Sequence, residues 1–349
     1  MHSTAPFLIL LLALLAAAGL CWRFLDPASV FHLLDHPNHR SLHQQAIPRS
    51  GGVAILLALI LSLTVAVMFQ VLSMQGLLLW LLAGILVLSL VGLVDDYGHV
   101  SPLIRFAAHF LAAGLLLAAG LDVAGLQLPG YYLDIPHWVE LILAFGFIVW
   151  MINLYNFMDG MDGFAGGMSV IGFTTLSLLG ASGGQADFTL VCGATAAAAG
   201  GFLIWNFPPA KIFMGDAGAP VLGFLAAALS LWGTKLALFP LWVALLIFSP
   251  FIVDASYTLL LRMLRGEKVW QAHREHIYQR LVQLGWGHKR TVLLAYGLML
   301  GCAVSASCLI QASAIVQWLG LAVWLVIYVF IILGTGLLVK KRHANRGSA

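Results

Sequence analysis

Charge is what this chain has least of. Of its 349 residues, 9% are Asp, Glu, Lys or Arg, against about 25% in a soluble globular protein. That scarcity excludes a soluble domain, and 61% hydrophobic residues with a mean hydropathy of +0.98 fit the same conclusion. Cysteine is also scarce. Cys21, Cys192, Cys302 and Cys308 lie in apolar stretches without metal-ligand spacing, which excludes a disulfide framework and a zinc site. There is no Walker A loop, no Rossmann fingerprint and no His-Glu-x-x-His motif. Nor does an internal repeat, low-complexity tract or long linker divide the chain, so 1–349 reads as a single transmembrane domain.

What the chain has instead is apolar runs of about 20 residues, the length that crosses a bilayer core. About eleven recur, starting near Pro6, Val53, Leu77, Pro102, His137, Phe164, Phe188, Pro220, Leu236, Thr291 and Ala314. The expectation is an all-α polytopic membrane protein. The first run, from Pro6 to Cys21, has no basic segment ahead of it and reads as a retained helix, not a signal peptide.

Lys and Arg set the orientation. With eleven spans and the N-terminus outside, the inner connections are 26–52, 95–101, 153–163, 206–219, 259–290 and the tail after Val339. Sixteen of the 17 Lys and Arg residues lie in or beside them; only Lys235 falls on the other face. This predicts N-out, C-in by the positive-inside rule. The net charge of +3 therefore reflects topology and gives no evidence for nucleic acid as a partner.

The inner connections also carry acids, which that rule does not call for. The central one, Asn153–Gly167, holds Asn153, Asn156, Asp159 and Asp162 among four glycines. One Asp at the centre of a membrane helix costs roughly 2.5–3.5 kcal/mol, so a polar loop at a helix end is expected here. Asp95 and Asp96 end the third span. Two unit charges 4 Å apart repel by roughly 4 kcal/mol at an effective dielectric near 20, which a divalent cation or a raised pKa would relieve. Asp216 stands between Gly215 and Gly218 on a turn expected to be exposed, and the next span starts at Pro220, so its helix N-terminus should favour an anion such as a diphosphate.

Basic groups accompany the acids. The first inner loop offers Arg40 and His43 as phosphate donors, then Gly51-Gly52 for close packing. The last offers His273-Arg274-Glu275-His276, where a helix would put both histidines on one face. Each segment alone also reads as a solvated connection or an interfacial helix. Hard cations prefer oxygen ligands, and Mg²⁺ commonly uses one or two carboxylates plus substrate phosphates. A phosphorylated substrate meeting a membrane-bound one beside Mg²⁺ is the chemistry these residues suggest.

Five segments carry a resemblance: Asp35-x-Pro37-Asn38-x-Arg40-x-x-His43 with Pro48-x-x-Gly51-Gly52; Asp95-Asp96; Asn153-x-x-Asn156-Phe157-x-Asp159-Gly160-x-Asp162-Gly163; Phe213-Met214-Gly215-Asp216; and His273-Arg274-x-His276. In this order, the chain resembles the polyprenyl-phosphate N-acetylhexosamine-1-phosphate transferases over essentially its whole length. The resemblance implies transfer of sugar 1-phosphate from a UDP-HexNAc to undecaprenyl phosphate, with release of UMP, in a bacterial inner membrane with the site on its cytoplasmic face. It implies Mg²⁺ or Mn²⁺ as cofactor and is compatible with a homodimer. Asp216 would be the metal ligand, and Asp95, supported by Asp96, would orient or deprotonate the lipid phosphate. Asp159 and His273 join the catalytic set. Asp162, Asn206 and Phe213 would hold the uridine, with Asn153 and Asn156 beside them, and His273, Arg274 and His276 the diphosphate.

The muramoyl-pentapeptide branch carries Pro-Leu-His-His-His in its last inner loop, where this chain has Tyr278-Gln279. The first loop looks more like the branch that starts O-antigen, common antigen or teichoic acid. An intramembrane prenyltransferase would need paired, widely spaced Asp-rich motifs. A transporter would place its ionisable groups nearer the midplane.

Overall fold

The computed structural model describes residues 4–37, 45–73, 76–123, 125–268 and 273–347, the stretch 343–347 by backbone alone. Every apolar run becomes helix, because in hydrocarbon a helix is one of the few ways to satisfy each backbone N–H and C=O internally. In chain order these are α1 (Ala5–Phe24), α2 (Gly51–Met68), α3 (Gly76–Tyr97), α4 (Pro102–Ala118), α5 (His137–Met158), α6 (Phe164–Ser182), α7 (Ala186–Asn206) and α8 (Ala219–Lys235). There follow α9 (Leu241–Ile247), α10 (Ser249–Leu264), α11 (Ile277–Leu281), a π-helical turn over Val282–Trp286, α12 (Gly287–Leu309) and α13 (Ala314–Gly347). Two short hairpins interrupt the helices: β1 (Leu34–Asp35) with β2 (Ile47–Pro48), and β3 (Leu126–Leu128) with β4 (Tyr131–Leu133).

The chain is an all-α polytopic membrane protein. Among the described residues, 8 helices are long and apolar enough to cross a membrane, and α9 with α10 makes a ninth if that pair, bent by 79°, is one span. The bend falls at Phe248, and Pro250 follows in the first turn of α10, where its missing N–H costs nothing. Two further apolar helices, α4 and α8, have 17 residues each, at the short end of what crosses a bilayer core. Ser101 caps α4 by accepting the Ile104 N–H at 3.4 Å, and Pro102 fills its first position. The core is built around α8, whose residues are almost all buried, with α5, α6 and α7 beside it.

Connections gather at two ends. At one, Trp318 donates to the Pro129 carbonyl (3.0 Å), and Lys235 donates to the Gly120 carbonyl at the end of α4. That contact gives the lone basic residue expected on this face a structural task. At the other end, Gly51 and Gly52 donate to the carbonyls of Phe213 (2.9 Å) and Met214 (2.7 Å), while Phe213 donates back to Pro48 (2.7 Å). The expected close packing of the glycine pair is present: a Cβ on Gly52 would lie 2.3 Å from the Gly218 Cα.

Candidate active site

The site lies at that second end, where α3, α5, α7 and α10 stop. Asp95 and Asp96 each have their own protein donors. Asp96 accepts the backbone N–H groups of Asp216 (3.1 Å) and Ala217 (3.0 Å), one on each oxygen. Arg49 donates to the Asp96 carbonyl at 2.6 Å and sets its Nε 3.6 Å from the carboxylate. Asp95 accepts the Val100 N–H (2.8 Å) and Arg105 Nη1 (3.1 Å). Asp96 thus takes the two N–H groups of the turn just ahead of α8.

Asp216 is half-buried on its turn, not exposed as the flanking glycines suggested. Burial, then the neighbouring Asp95, raises its carboxyl above the ordinary range, while Arg105, Arg49 and a hydrogen bond from Asn156 pull the other way. The turn depends on Gly215, whose φ is +76° and whose Cβ would meet the Arg49 carbonyl at 2.1 Å. Asp159 follows the last residue of α5. Burial, then Asp216 and Asp96, pushes its carboxyl well above the carboxylate range. Asp95, Asp96, Asp159 and Asp216 therefore share one electrostatic neighbourhood with Arg49 and Arg105.

Asp162 and Asn206 brace the floor of this neighbourhood. Asp162 accepts the Ala210 N–H (3.0 Å) on one oxygen and meets His288 Nδ1 (3.0 Å) with the other. Burial alone would raise its carboxyl, but those two contacts outweigh it and hold the group below its ordinary value. Asn206 accepts the Gly163 N–H and donates to the Ile212 carbonyl, both at 2.8 Å. Asn153 donates to Val149 within its own helix at 2.7 Å. Phe213 is half-buried on the strand-like segment that pairs with Pro48 and Gly51.

The last inner connection differs most from expectation. His273 to His276 is not helical; α11 starts at Ile277, with His276 extended at its N-cap (φ −57°, ψ 149°). The reason is Asp254, a buried acid in α10. It accepts the N–H groups of Ile277 (2.9 Å) and Tyr278 (3.2 Å) and faces His276 Nδ1 at 3.2 Å, so the helix can begin only where those donors point. The two histidine rings still lie together, 4.7 Å between centroids. Burial, then His276 and Arg262, pushes His273 down to about 4. Tyr278 donates to the Phe157 carbonyl (3.1 Å), and Gln279 accepts the His276 N–H (3.3 Å). Tyr278-Gln279 thus fastens this connection to the central one. Arg274 lines a cavity with Arg265, Arg280 and Arg342.

Arg40 and His43 lie outside the described residues. Sequence reasoning assigned no role to Asp254, His288 or Tyr296, whose hydroxyl donates to the Gly163 carbonyl at 2.5 Å. Asp254 had a signal, a lone acid inside an apolar run. His288 was hidden among the basic residues that orientation alone explains, and Tyr296 gave none.

Fold and site define a class: a polytopic helical membrane protein whose acids, amides and basic residues converge at one end of the bundle. Residues 78–234 match the family described as glycosyl transferase family 4. A Bacillus subtilis protein named as a probable undecaprenyl-phosphate N-acetylglucosaminyl 1-phosphate transferase is 29% identical over 276 residues, 78% of this chain and 76% of the relative. The decaprenyl-phosphate N-acetylglucosaminephosphotransferase of Mycolicibacterium smegmatis is 30% identical over 295 residues, 76% of this chain and 72% of the relative. A phospho-N-acetylmuramoyl-pentapeptide-transferase of Shouchella clausii is 30% identical over 262 residues, 70% and 78% of the two chains. The chain belongs to glycosyl transferase family 4, among the polyprenyl-phosphate N-acetylhexosamine-1-phosphate transferases.

Proposed function

We propose that the chain transfers N-acetylhexosamine 1-phosphate from a UDP-N-acetylhexosamine to undecaprenyl phosphate, releasing UMP, at the cytoplasmic face of a bacterial inner membrane. One observation carries this reading: three connections far apart in sequence bring Asp95, Asp96, Asp159 and Asp216 into one neighbourhood beside Arg105 and, from a fourth connection, Arg49.

The donor set fits Mg²⁺. Asp159 and Asp216 are crowded oxygen donors that a divalent cation would relieve, and Mg²⁺ needs only one or two carboxylates when phosphates complete its shell. Asp216, with Asp159, would hold it. Bound there, it would neutralise charge on the pyrophosphate. The chain's own groups position the reactants. An oxygen of the lipid phosphate attacks the sugar-bearing phosphorus, and the bond to the UMP phosphate breaks, its electron pair leaving with UMP. Arg105, held by Asp95, faces the lipid phosphate, and His273 with Arg274 grips the diphosphate. Asp162 and Asn206 keep the uridine side of the floor rigid. An apolar groove of about 440 Å³ between α10, α12 and α13, lined by Val253, Leu294, Leu298 and Ile331, opens beside Tyr278 and suits an isoprenoid tail.

The named relatives make UDP-GlcNAc the first donor to try, with UDP-QuiNAc and UDP-FucNAc after it. Tyr278 and Gln279, both used structurally, favour the branch that initiates a surface polysaccharide such as O-antigen over the muramoyl-pentapeptide branch. The test is UMP release by purified protein given undecaprenyl phosphate, Mg²⁺ and each donor in turn. Release that depends on both lipid and donor is expected; no release with any UDP-HexNAc would reject the reading.

A further inference from the structure

The last inner connection and the end of α13 enclose a cavity of about 380 Å³, lined by Arg265, Arg274, Arg280 and Arg342, with Glu275 as the acid among its lining residues. The carboxylate of Glu275 is shared, 2.9 Å from Arg265 and 3.3 Å from Arg280. Glu267 lies 3.7 Å from Arg265 but is held more closely by Arg262, at 2.8 Å. Arg342 donates to the Gln283 carbonyl. Among the described residues, Arg265 and Arg280 share the one carboxylate of Glu275, and Arg342 is bonded to a carbonyl, not an acid. Planar guanidiniums clustered round a cavity match a phosphate better than any other common anion.

Position narrows the source of that phosphate. The apolar run of α13 ends at Val339 and is followed by Lys340, Lys341 and Arg342, which puts the cavity at head-group level. Its rim carries Leu284 and Val339. Their near neighbours Leu281 and Leu338 line the apolar groove between α10, α12 and α13. A ligand with its phosphate in the cavity can therefore lay hydrocarbon along the end of the groove. We propose that the Arg265–Arg280–Arg342 side of this cavity, next to Arg274 of the nucleotide grip but away from the four acids, is a lipid-phosphate site, filled from the inner leaflet by an anionic phospholipid or by a polyprenyl phosphate. The leaflet named here rests on the orientation proposed above; the binding itself does not.

The test is lipid binding, which needs no turnover. Delipidated full-length protein is titrated with phosphatidylglycerol, with undecaprenyl phosphate and with inorganic phosphate, and bound states are counted by native mass spectrometry. Wild type is compared with Arg342→Gln and with Arg265→Gln/Arg342→Gln, each checked for an unchanged melting transition. Loss of charge-assisted contacts predicts about tenfold weaker lipid binding in the double variant, and about threefold in Arg342→Gln, which probes the site even if the double variant does not fold. The lipid whose affinity falls is the occupant. Unchanged affinity for both lipids in a folded variant would overturn the proposal. An equal loss for inorganic phosphate would also overturn it, since that marks a site for soluble phosphate. Absence of UMP release from wild type would reject the transferase reading and leave this result standing.

Discussion

The two ends of the bundle hold similar side chains and use them differently. At the end opposite the acid cluster, Asp122, His137 and Glu140 each place a ligand atom within 4.8 Å of the others, the one such grouping among the described residues. By side-chain chemistry alone it is the better metal site. Yet its members are local: His137 and Glu140 stand one turn apart on α5 at 3.0 Å, and Glu140 closes the hairpin base by accepting the Gly125 N–H at 2.5 Å. The inner acids are spaced more widely, but they come from connections separated by up to 120 positions, and Asp96 is pinned across that distance to the Asp216 turn. A cluster made by one helix turn and its neighbour braces a loop. A cluster drawn from three distant connections can surround two substrates.

The largest expected contrast follows directly. Asp216→Asn removes charge from the crowded inner group, and turnover should fall at least about a hundredfold, the scale of losing one charge-stabilising group at a phosphoryl-transfer centre. Asp122→Asn should leave turnover within about twofold. Both are read as UMP release by protein with normal membrane insertion, and equal effects would erase the distinction between the ends.

Next in size is the nucleotide grip. His273→Ala with Arg274→Ala should weaken UDP-sugar binding about ten- to hundredfold, since each charge-assisted hydrogen bond lost costs about 1.5–3 kcal/mol. Wild-type affinity with slow turnover would move this connection from binding to the transition state. Smaller again is Gly52→Ala, which sets a methyl 2.3 Å from the Gly218 backbone. It should cost about 1–3 kcal/mol by overpacking, seen as a lower melting temperature, whereas Gly114→Ala, with open space around it, should not.

The smallest effect is on pH. His273 is held down to about 4 from an ordinary 6.5, so the folded state disfavours its proton. Its contribution to stability is complete above pH 6.5 and is lost as pH falls toward 4, where folded and unfolded forms both bind the proton. His273→Gln should flatten the melting-temperature profile in that window; an unchanged slope would place the acid sensitivity elsewhere.

Much of the architecture was legible because a bilayer leaves few choices. Apolar length marked the helices, and acids at their ends marked the site. Roles within the site were not legible in the same way. The N–H groups ahead of α8 serve Asp96, a partner that chain position cannot reveal. The His273–His276 spacing suggested a helix, but Asp254 starts α11 at Ile277 instead. Asp162 and Asn206, expected to meet uridine, also bond to Ala210, His288, Gly163 and Ile212 within the protein, partners that chain position does not show. In each case a long-range hydrogen bond overrides local pattern. The bend at Phe248 breaks a run that hydropathy presents as continuous.

Sidedness tests the central claim most directly, because UDP-sugars do not cross a bilayer. UMP release should be measured in sealed inverted vesicles and in sealed right-side-out vesicles carrying the same amount of protein and undecaprenyl phosphate. Release from inverted vesicles is expected at once, and from right-side-out vesicles only after detergent opens them. Equal rates in both sealed preparations would contradict an inner-face site.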